Sequence, residues 1–153
     1  MFILFYCVAS SLEMGLLQVP LFRSRQSFHK IFPFVCDFFK ARVVLYKGGK
    51  LMKELKFNAK GSNKLNWFSF SRLSQSPWSD IKSEPKNYFS IVGEPSHDRR
   101  FFINRNYGGC SSDAGWMLVS GSLCSWASRF LPRKNVILYS NKTVYTNWNT
   151  YSE

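Results

Sequence analysis

The chain has 153 residues, of which 45% are hydrophobic and 18% aromatic, and its formal net charge is +12. This length and composition allow one domain with a hydrophobic core and exclude a disordered tail, because disordered segments lack the apolar surface that offsets the entropy of ordering. The charge excess favours polyanionic partners such as nucleic acid, sulfated glycans or acidic matrix.

The first 41 residues differ in composition from the rest, and we interpret them as a leader separate from the domain that follows. They hold eight of the 15 Phe, none of the five Trp, and +2 of the +12 charge. The opening MFILFYCVASSLEMGLLQVP is compatible with a poor secretory signal or with an ordinary hydrophobic start. The run SFHKIFPFVCDFFK predicts a short helix over about 33–41, because Pro33 is tolerated only in a first helical turn.

Residues 42–153 predict an all-β domain, either an antiparallel sandwich or a barrel-like fold, behind a short helical or irregular leader. RVVLY, KGGK and LMKELKF predict a hairpin that turns at Gly48-Gly49, since glycine accepts the positive φ angles of a two-residue turn. In this register Tyr46 lies opposite Leu51, and Leu45 lies opposite Met52. One half-buried face of the second strand is expected to carry Leu51, Leu55 and Phe57.

Six further strands are predicted along the chain, with turn-forming residues between them. They are LNWFSF (65–70), NYFSIV (87–92), RRFFIN (99–104), GWMLVS (115–120), NVILYS (135–140) and TVYTNW (143–148). Short strands at this spacing are typical of an all-β fold.

Cys110 and Cys124 flank the predicted strand GWMLVS, and we predict a disulfide bond between them. Structural zinc sites take cysteines in tight CxxC pairs, which this chain lacks, so no metal is expected. A catalytic thiol needs a base, and the sequence around His97, GEPSHDRR, gives no sign of one. A disulfide that closes a loop of about 15 residues adds roughly 3 kcal/mol of stability. The alternative is two buried free thiols in a cytosolic protein.

The predicted disulfide has consequences for location, because such bonds persist in oxidising compartments. We therefore expect a secreted protein, with Trp116 and Trp126 shielding the bridge. Asn141 begins the tripeptide Asn-Lys-Thr and is a candidate glycosylation site. Cys7 and Cys36 lie in the leader and are left unassigned.

Residues of about 42–151 resemble a Cys/Trp-rich extracellular domain, without a settled name, of secreted invertebrate matrix or lectin-like proteins. The resemblance is carried by the motifs Asn66-Trp67-Phe68-Ser69, Ser76-Pro77-Trp78, Tyr107-Gly108-Gly109-Cys110 and Gly115-Trp116. It implies an extracellular location and a binding role, and by comparison the chain is expected to be truncated at both ends. Cys110 and Ala114-Gly115-Trp116 also form a weaker analogy to fibrinogen-related and intelectin lectin domains.

No catalytic residues and no cofactor are expected. The acidic residues are scattered, and the chain lacks a GxSxG elbow, a phosphate loop, an HExxH motif and an EF-hand loop. A glycosidase would need two facing carboxylates, and nothing in the sequence points to such a pair.

Three sets of residues are candidates for binding. Trp78, in the loop SQSPWSDIKSEP, is either a stacking platform for a sugar or a tryptophan that caps the core. Arg99, Arg100 and Arg105 are candidates for carboxylate or sulfate groups, which arginine binds bidentately. The third set is either a polyanion site or a solvated edge, and it comprises Lys47, Lys50, Lys53, Lys56, Lys60 and Lys64.

We therefore expect a secreted, non-catalytic binding or adhesion module, lectin-like or associated with extracellular matrix, whose partner is a glycan or a matrix component. The alternative is a basic domain that binds polyanions or nucleic acid. Nucleic acid ranks second because the chain has no RNP-type strand, zinc knuckle or recognition helix.

Overall fold

The computed structural model describes residues 2–8, 16–17, 40–120, 124–130 and 136–150. Its regular elements are strands and short 3-10 helices, which confirms the predicted all-β class. The chain divides into two compact units, Met1–Pro77 and Trp78–Glu153, and each contains one five-stranded antiparallel sheet. The change of composition near residue 41 falls within the first unit, where a strand begins at Lys40.

The sheet of the first unit has the strand order β2-β1-β3-β4-β5. Its strands are β1 (Phe2–Val8), β2 (Leu16–Leu17), β3 (Lys40–Lys47), β4 (Lys50–Asn58) and β5 (Leu73–Gln75). The leader helix predicted over 33–41 is not borne out at its end, because Lys40 and Ala41 already belong to β3. Its other residues, like Cys36, lie outside the described part of the chain.

The predicted hairpin is confirmed as β3 and β4, which are joined at Gly48 and Gly49 with φ angles of 58° and 77°. Tyr46 pairs with Leu51 as predicted, but Leu45 pairs with Lys53 and not with Met52. An extra residue in β4 shifts the register there, which a strict alternation of side chains cannot anticipate.

The shift in register also changes which side chains of β4 are buried. Leu55 and Phe57 are fully buried, whereas Leu51, predicted on the same half-buried face, is 48% exposed. The prediction for Leu51 was therefore wrong, because the irregularity interrupts the period of two on which it depended.

The strand predicted at 65–70 is wrong, because this segment forms turns followed by the 3-10 helix Phe70–Arg72. The side-chain oxygen of Asn63 accepts hydrogen bonds from the backbone N–H groups of Leu65 and Asn66, at 2.9 and 3.0 Å. Such local side-chain bonds compete with a strand ladder. Trp67 and Phe68 nevertheless reach the core, where each packs against Phe57.

The sheet of the second unit has the order β10-β8-β7-β6, and β9 also pairs with β8. Its strands are β6 (Phe89–Ser90), β7 (Arg99–Asn104), β8 (Ala114–Ser120), β9 (Val136–Tyr139) and β10 (Thr146–Asn147). The predictions for β7, β8 and β9 are confirmed, whereas the predicted strands 87–92 and 143–148 shrink to two residues each.

Side chains replace the backbone ladder where these two strands are short. The backbone N–H of Tyr88 donates to Asn104 Oδ1 at 2.6 Å, and that of Tyr145 donates to Asp80 Oδ2 at 2.9 Å. A backbone donor that is satisfied by a side chain needs no partner strand. The core beside β7 and β8 consists of Phe102, Leu118, Cys124, Trp126, Ala127, Leu138 and Trp148.

Candidate functional site

Cys110 and Cys124 form the predicted disulfide bond, with their Cα atoms 5.4 Å apart. Cys110 begins the 3-10 helix Cys110–Ser112, directly after Gly109, whose φ of 112° favours glycine. Cys124 precedes the 3-10 helix Ser125–Phe130 and is 4% exposed, whereas Cys110 is only partly buried. The two cysteine residues therefore differ in exposure.

A buried ion pair lies against the disulfide. Arg99 Nη2 is 2.5 Å from Asp113 Oδ2, and both side chains are completely buried. The same Nη2 donates a hydrogen bond to Cys124 Sγ at 2.8 Å, and Trp126 Nε1 donates to Asp113 Oδ2 at 3.1 Å. Because a buried charge is costly unless it is paired and hydrogen-bonded, Asp113 is the main compensation for the guanidinium.

Three aromatic rings surround the guanidinium of Arg99, and we call them the aromatic cage. The central guanidinium carbon lies 4.8 Å from the ring centroid of Tyr107, 5.2 Å from Phe102 and 5.4 Å from Trp126. Arg99 Nε and Nη1 have no hydrogen-bond acceptor among the described residues. Attraction between the cation and the ring faces supplies part of the missing stabilisation.

An irregularity in β7 brings Arg99 and Phe102 together. Residues three apart in a regular strand point to opposite faces of the sheet. Between Arg100 and Ile103, however, β7 contains one residue more than its partner strand, and Phe101 there has a φ of 45°. This bulge reverses the alternation and lets Phe102 pack against the Arg99 guanidinium.

A tight loop places Glu94 and His97 next to Arg99. Glu94 and Arg99 exchange backbone hydrogen bonds of 3.0 Å in both directions, and the 3-10 helix Pro95–His97 lies between them. Gly93 has a φ of 63°, and a Cβ atom there would lie 2.2 Å from the Arg99 carbonyl oxygen. Only glycine fits this approach of the two backbones.

The Glu94 carboxylate organises the loop. Its Oε1 accepts from the Ser96 backbone N–H at 3.1 Å, and its Oε2 lies 2.5 Å from His97 Nδ1. Burial alone would raise the pKa of Glu94, but the hydrogen bonds from Ser96 and His97 outweigh it and lower this pKa. The charged carboxylate of Glu94 therefore contacts the imidazole of His97, which lies beside the disulfide.

Burial is the largest influence on the pKa values of two neighbouring groups, Asp113 and Tyr107. It raises the pKa of Asp113, although the hydrogen bonds from Arg99 and Trp126 act in the opposite direction. It also raises the pKa of Tyr107, which the nearby charge of Arg99 opposes. Both shifts reflect the low polarity of the surroundings.

His97, Cys110 and Cys124 form the cluster of metal-ligating residue types within the described ranges. One ring nitrogen of His97 and both sulfurs lie within 4.8 Å of one another. The ligand form of cysteine is the thiolate, and here the sulfurs are bonded to each other. This donor set does not fit a metal ion while the disulfide is intact.

The structure brings His97 next to the two cysteines, although the sequence around it gave no sign of a base. The pairing of Arg99 with Ser120 puts the start of β7 opposite the end of β8, four residues before Cys124. A signal for this was the short loop GEPSHD, which contains His97. It lies between two predicted strands, so the chain had to fold back there at one edge of the sheet. It was missed because the partner of β7 was not assigned from sequence.

Two predicted ligand-binding residues are buried and cannot bind a ligand at the surface. Trp78 is 2% exposed, and its Nε1 donates to the Ser140 carbonyl at 3.0 Å. It therefore caps the core, which was the alternative interpretation, and offers no face to a sugar. Arg99 is completely buried with Asp113, because a guanidinium with a carboxylate and three rings around it can leave water.

The other two predicted arginines remain accessible but have carboxylate neighbours. Arg100 is exposed, with its Nε 3.6 Å from Asp98 Oδ1. Arg105 Nε donates to Glu84 Oε2 at 2.5 Å, and its guanidinium lies 4.6 Å from the ring centroid of Tyr145. The ion pair with Glu84 raises the pKa of Arg105. The structure thus does not bring the three arginines together as one ligand site.

The lysines of the third predicted set lie on the hairpin and on the loop after it. Lys47, Lys50, Lys60 and Lys64 are exposed, and Lys53 and Lys56 are partly buried. Burial lowers the pKa of Lys53. We call these six residues the lysine set.

The segment that carries the lysine set contains little negative charge. Residues 40–77 contain nine basic residues and one acidic residue, Glu54, so their net charge is 9 − 1 = +8. Arg42 Nε donates to Glu54 Oε1 at 2.5 Å, and Lys56 Nζ lies 3.8 Å from Glu54 Oε2. Glu54, the one acidic residue of this stretch, therefore contacts two of its nine basic residues.

Asn141, the candidate glycosylation residue, is exposed in the connection between β9 and β10. Among the described residues, no helix has the length and apolar character needed to cross a bilayer. No protein family, no curated protein and no solved structure matches this chain. The resemblance to the Cys/Trp-rich extracellular domain stays a prediction.

Proposed function

We propose that this protein is a non-catalytic extracellular binding module whose lysine set binds sulfated glycans of the matrix. The observation that carries the proposal is the net charge of +8 over residues 40–77. A surface with such an excess attracts polyanions and concentrates them near the protein. Function then depends on the arrangement of these cations on the hairpin.

The hairpin holds like charges close together. Lys47 and Lys50 are directly opposite each other beside the turn, an arrangement that destabilises an isolated sheet. Lys60 and Lys64 follow in the next loop, where Arg72 Nη1 donates to the Lys60 carbonyl at 2.8 Å. A bound polyanion would relieve the repulsion between these side chains, so their grouping supports a binding role.

The disulfide and the exposed Asn141 support a location outside the cell. Disulfides form and persist mainly in secreted proteins, and a glycosylation acceptor must lie at the surface. Sulfated glycans are the abundant polyanions of that compartment, whereas nucleic acid is abundant inside cells. Location therefore favours the glycan as partner.

Recognition of a neutral sugar has less support than recognition of a sulfated one. Trp78 was the candidate stacking residue, and it is buried. Without it, the proposal depends on charge and not on stacking against a sugar ring. We therefore place the partner among sulfated glycans rather than among neutral sugars.

Binding of single-stranded nucleic acid is the second candidate, and one observation favours it. Phe70 is 40% exposed and lies two residues from Arg72. Proteins that bind single strands combine a basic groove with aromatic side chains on which bases stack. The partner chemistry is anionic in both cases, so an experiment has to separate them.

Retention of the full chain on immobilised heparin, compared with duplex and single-stranded DNA at the same salt, tests the proposal. We expect stronger retention on heparin, and we expect Lys47→Gln/Lys50→Gln to elute at lower salt with a shallower salt dependence. Lys82→Gln/Lys142→Gln removes two exposed lysines from the second unit and should elute close to the wild type. Equal loss in both variants would indicate a non-specific response to net charge, and stronger retention on single-stranded DNA would favour the second candidate.

A further inference from the structure

We infer that the Cys110–Cys124 disulfide is a site of thiol–disulfide exchange, at which a low-molecular-weight thiol attacks Cys110 and Cys124 leaves as a thiolate. The different exposure of the two cysteine residues sets this direction. Cys124 is 4% exposed, whereas Cys110 is partly exposed at the start of its 3-10 helix. An external thiolate therefore reaches the sulfur of Cys110 first.

The leaving sulfur is held by a cation. Arg99 Nη2 donates to Cys124 Sγ at 2.8 Å, and the guanidinium is completely buried. A neighbouring arginine lowers the pKa of a thiol, and a thiol of lower pKa leaves faster in exchange. Arg99 is placed to stabilise the negative charge that develops on Cys124.

A disulfide that served only as a covalent link would gain little from this contact, because its sulfurs are uncharged and are weak acceptors. Arg99 Nε and Nη1 have no hydrogen-bond acceptor in the part of the chain that the structure describes, so the buried guanidinium is incompletely satisfied. A thiolate at Cys124 would give it a second anion besides Asp113. Hydrogen bonds between charged partners are about twice as strong as those between neutral ones.

His97 also lies close to the disulfide. One of its ring nitrogens lies within 4.8 Å of both sulfurs, and Nδ1 is engaged by Glu94 at 2.5 Å. The imidazole is thus placed to hydrogen-bond a thiol that approaches Cys110. Among the described residues, Glu94 contacts His97, and Tyr107 and Asp113 contact Arg99, so these five are the titratable or charged groups of the cluster.

The chemistry balances without any further oxidant. The external thiolate forms a bond to Cys110 Sγ, and the electron pair of the old sulfur–sulfur bond goes to Cys124 Sγ. The product is a mixed disulfide on Cys110 and a thiolate on Cys124. A second molecule of the same thiol then attacks the external sulfur, which releases the oxidised thiol and leaves Cys110 as a thiolate, so that the external thiol is oxidised and the protein reduced.

The first experiment uses the wild-type full chain and needs no mutation. The oxidised protein is mixed with reduced glutathione, quenched with acid and alkylated, and the adducts are located by peptide mapping. We expect the glutathione adduct on Cys110 and an alkylated thiol on Cys124. An adduct found mainly on Cys124, or distributed equally between the two, would overturn the inference.

The second experiment measures the rate of this reaction in Arg99→Met/Asp113→Asn, which removes both charges of the buried pair and keeps an acceptor for Trp126. We expect the rate to fall by about tenfold, because the charged hydrogen bond to the leaving sulfur is lost. The matched control Arg105→Met/Glu84→Gln removes a second arginine–carboxylate pair of this unit, also at 2.5 Å, and should react like the wild type.

Folding of both double variants is checked by circular dichroism before rates are compared. Unchanged rates in folded Arg99→Met/Asp113→Asn would contradict the role of Arg99. If that variant does not fold, the peptide map of the wild type still decides the direction of attack, and rates in His97→Gln replace it. We expect His97→Gln to slow the reaction, and an unchanged rate would remove His97 from the site.

Discussion

Residues 40–77 and residues 78–153 each contain nine basic residues, but the first stretch has one acidic residue and the second has six. In the second stretch, carboxylates lie against individual arginines, as Asp113 does with Arg99 and Glu84 with Arg105. In the first, most lysines are exposed on the hairpin and its loop. The two stretches therefore differ in how many carboxylates accompany their basic residues, a difference that the total of +12 conceals.

Breaking the buried ion pair from one side gives the largest expected effect. Asp113→Ala leaves the completely buried Arg99 without its carboxylate, and the loss of one partner of a buried pair costs about 3–5 kcal/mol of stability. Arg99→Met/Asp113→Asn leaves no buried charge and should cost much less. Urea unfolding of the full chain measures both. If the single variant were as stable as the double variant, Arg99 would not depend on Asp113.

Removal of the disulfide ranks next. The cysteines are 14 residues apart, and a loop of about 15 residues stabilises a fold by roughly 3 kcal/mol when it is closed. We expect Cys110→Ser/Cys124→Ser to lose about that amount in urea unfolding. Reduction of the wild type is the control and should give a similar loss, whereas an unchanged unfolding midpoint in both would contradict a stabilising role for the bond.

Much of the second unit could be predicted because local pattern and tertiary structure agree there. RRFFIN and GWMLVS are strands of β-branched and aromatic residues bounded by turn formers, and they fold as β7 and β8. The disulfide followed from two cysteines at the ends of one strand. None of these predictions required knowledge of which strands are neighbours.

Predictions failed where a side chain took over a backbone partner or where a strand gained a residue. Asn63 turned the aromatic segment after Lys64 away from a strand, and the bulge at Phe101 brought Arg99 inward against Phe102. The first is a local side-chain contact and the second is a change of register, and a periodic pattern encodes neither. The site around the sulfurs was missed for the same reason, since it needs the pairing of β7 with β8.

The Glu94 carboxylate is expected to have a smaller, pH-dependent effect on stability, which adds to the comparison of the two stretches. The pKa of Glu94 is lowered from its ordinary value of 4.5, mainly because hydrogen bonds from Ser96 and His97 outweigh the effect of burial. A carboxyl with a lower pKa in the folded state stabilises the fold above its unfolded pKa, and this contribution is lost as the pH falls through the folded pKa. We therefore expect wild type to lose more stability than Glu94→Gln as the pH falls from about 6 to 3.

Thermal unfolding across this pH range measures the difference between the two proteins. Asp98→Asn is a matched control, because it removes an exposed carboxylate from the same loop and leaves the bonds of Glu94 intact. If the melting temperature of Glu94→Gln changed with pH in parallel with that of the wild type, the loop would not hold the Glu94 carboxylate in its charged form.

The smallest expected effect tests the hairpin and has two parts with opposite signs. Lys50→Glu puts a negative charge opposite Lys47, and opposite charges across a strand pair stabilise a sheet by about 0.2–1 kcal/mol. We therefore expect unfolding at slightly higher urea but elution from heparin at lower salt. Such a combination would indicate that the repulsion in the native hairpin is retained for binding and not for folding.

Lys82→Glu provides the control for this last variant, since it makes the same charge change at an exposed position of the second unit. It should change neither the urea midpoint nor the heparin elution by as much. If Lys50→Glu instead lowered stability, the opposed lysines would have to be favourable in the folded sheet. The proposal that this pair serves binding at a cost to folding would then be wrong.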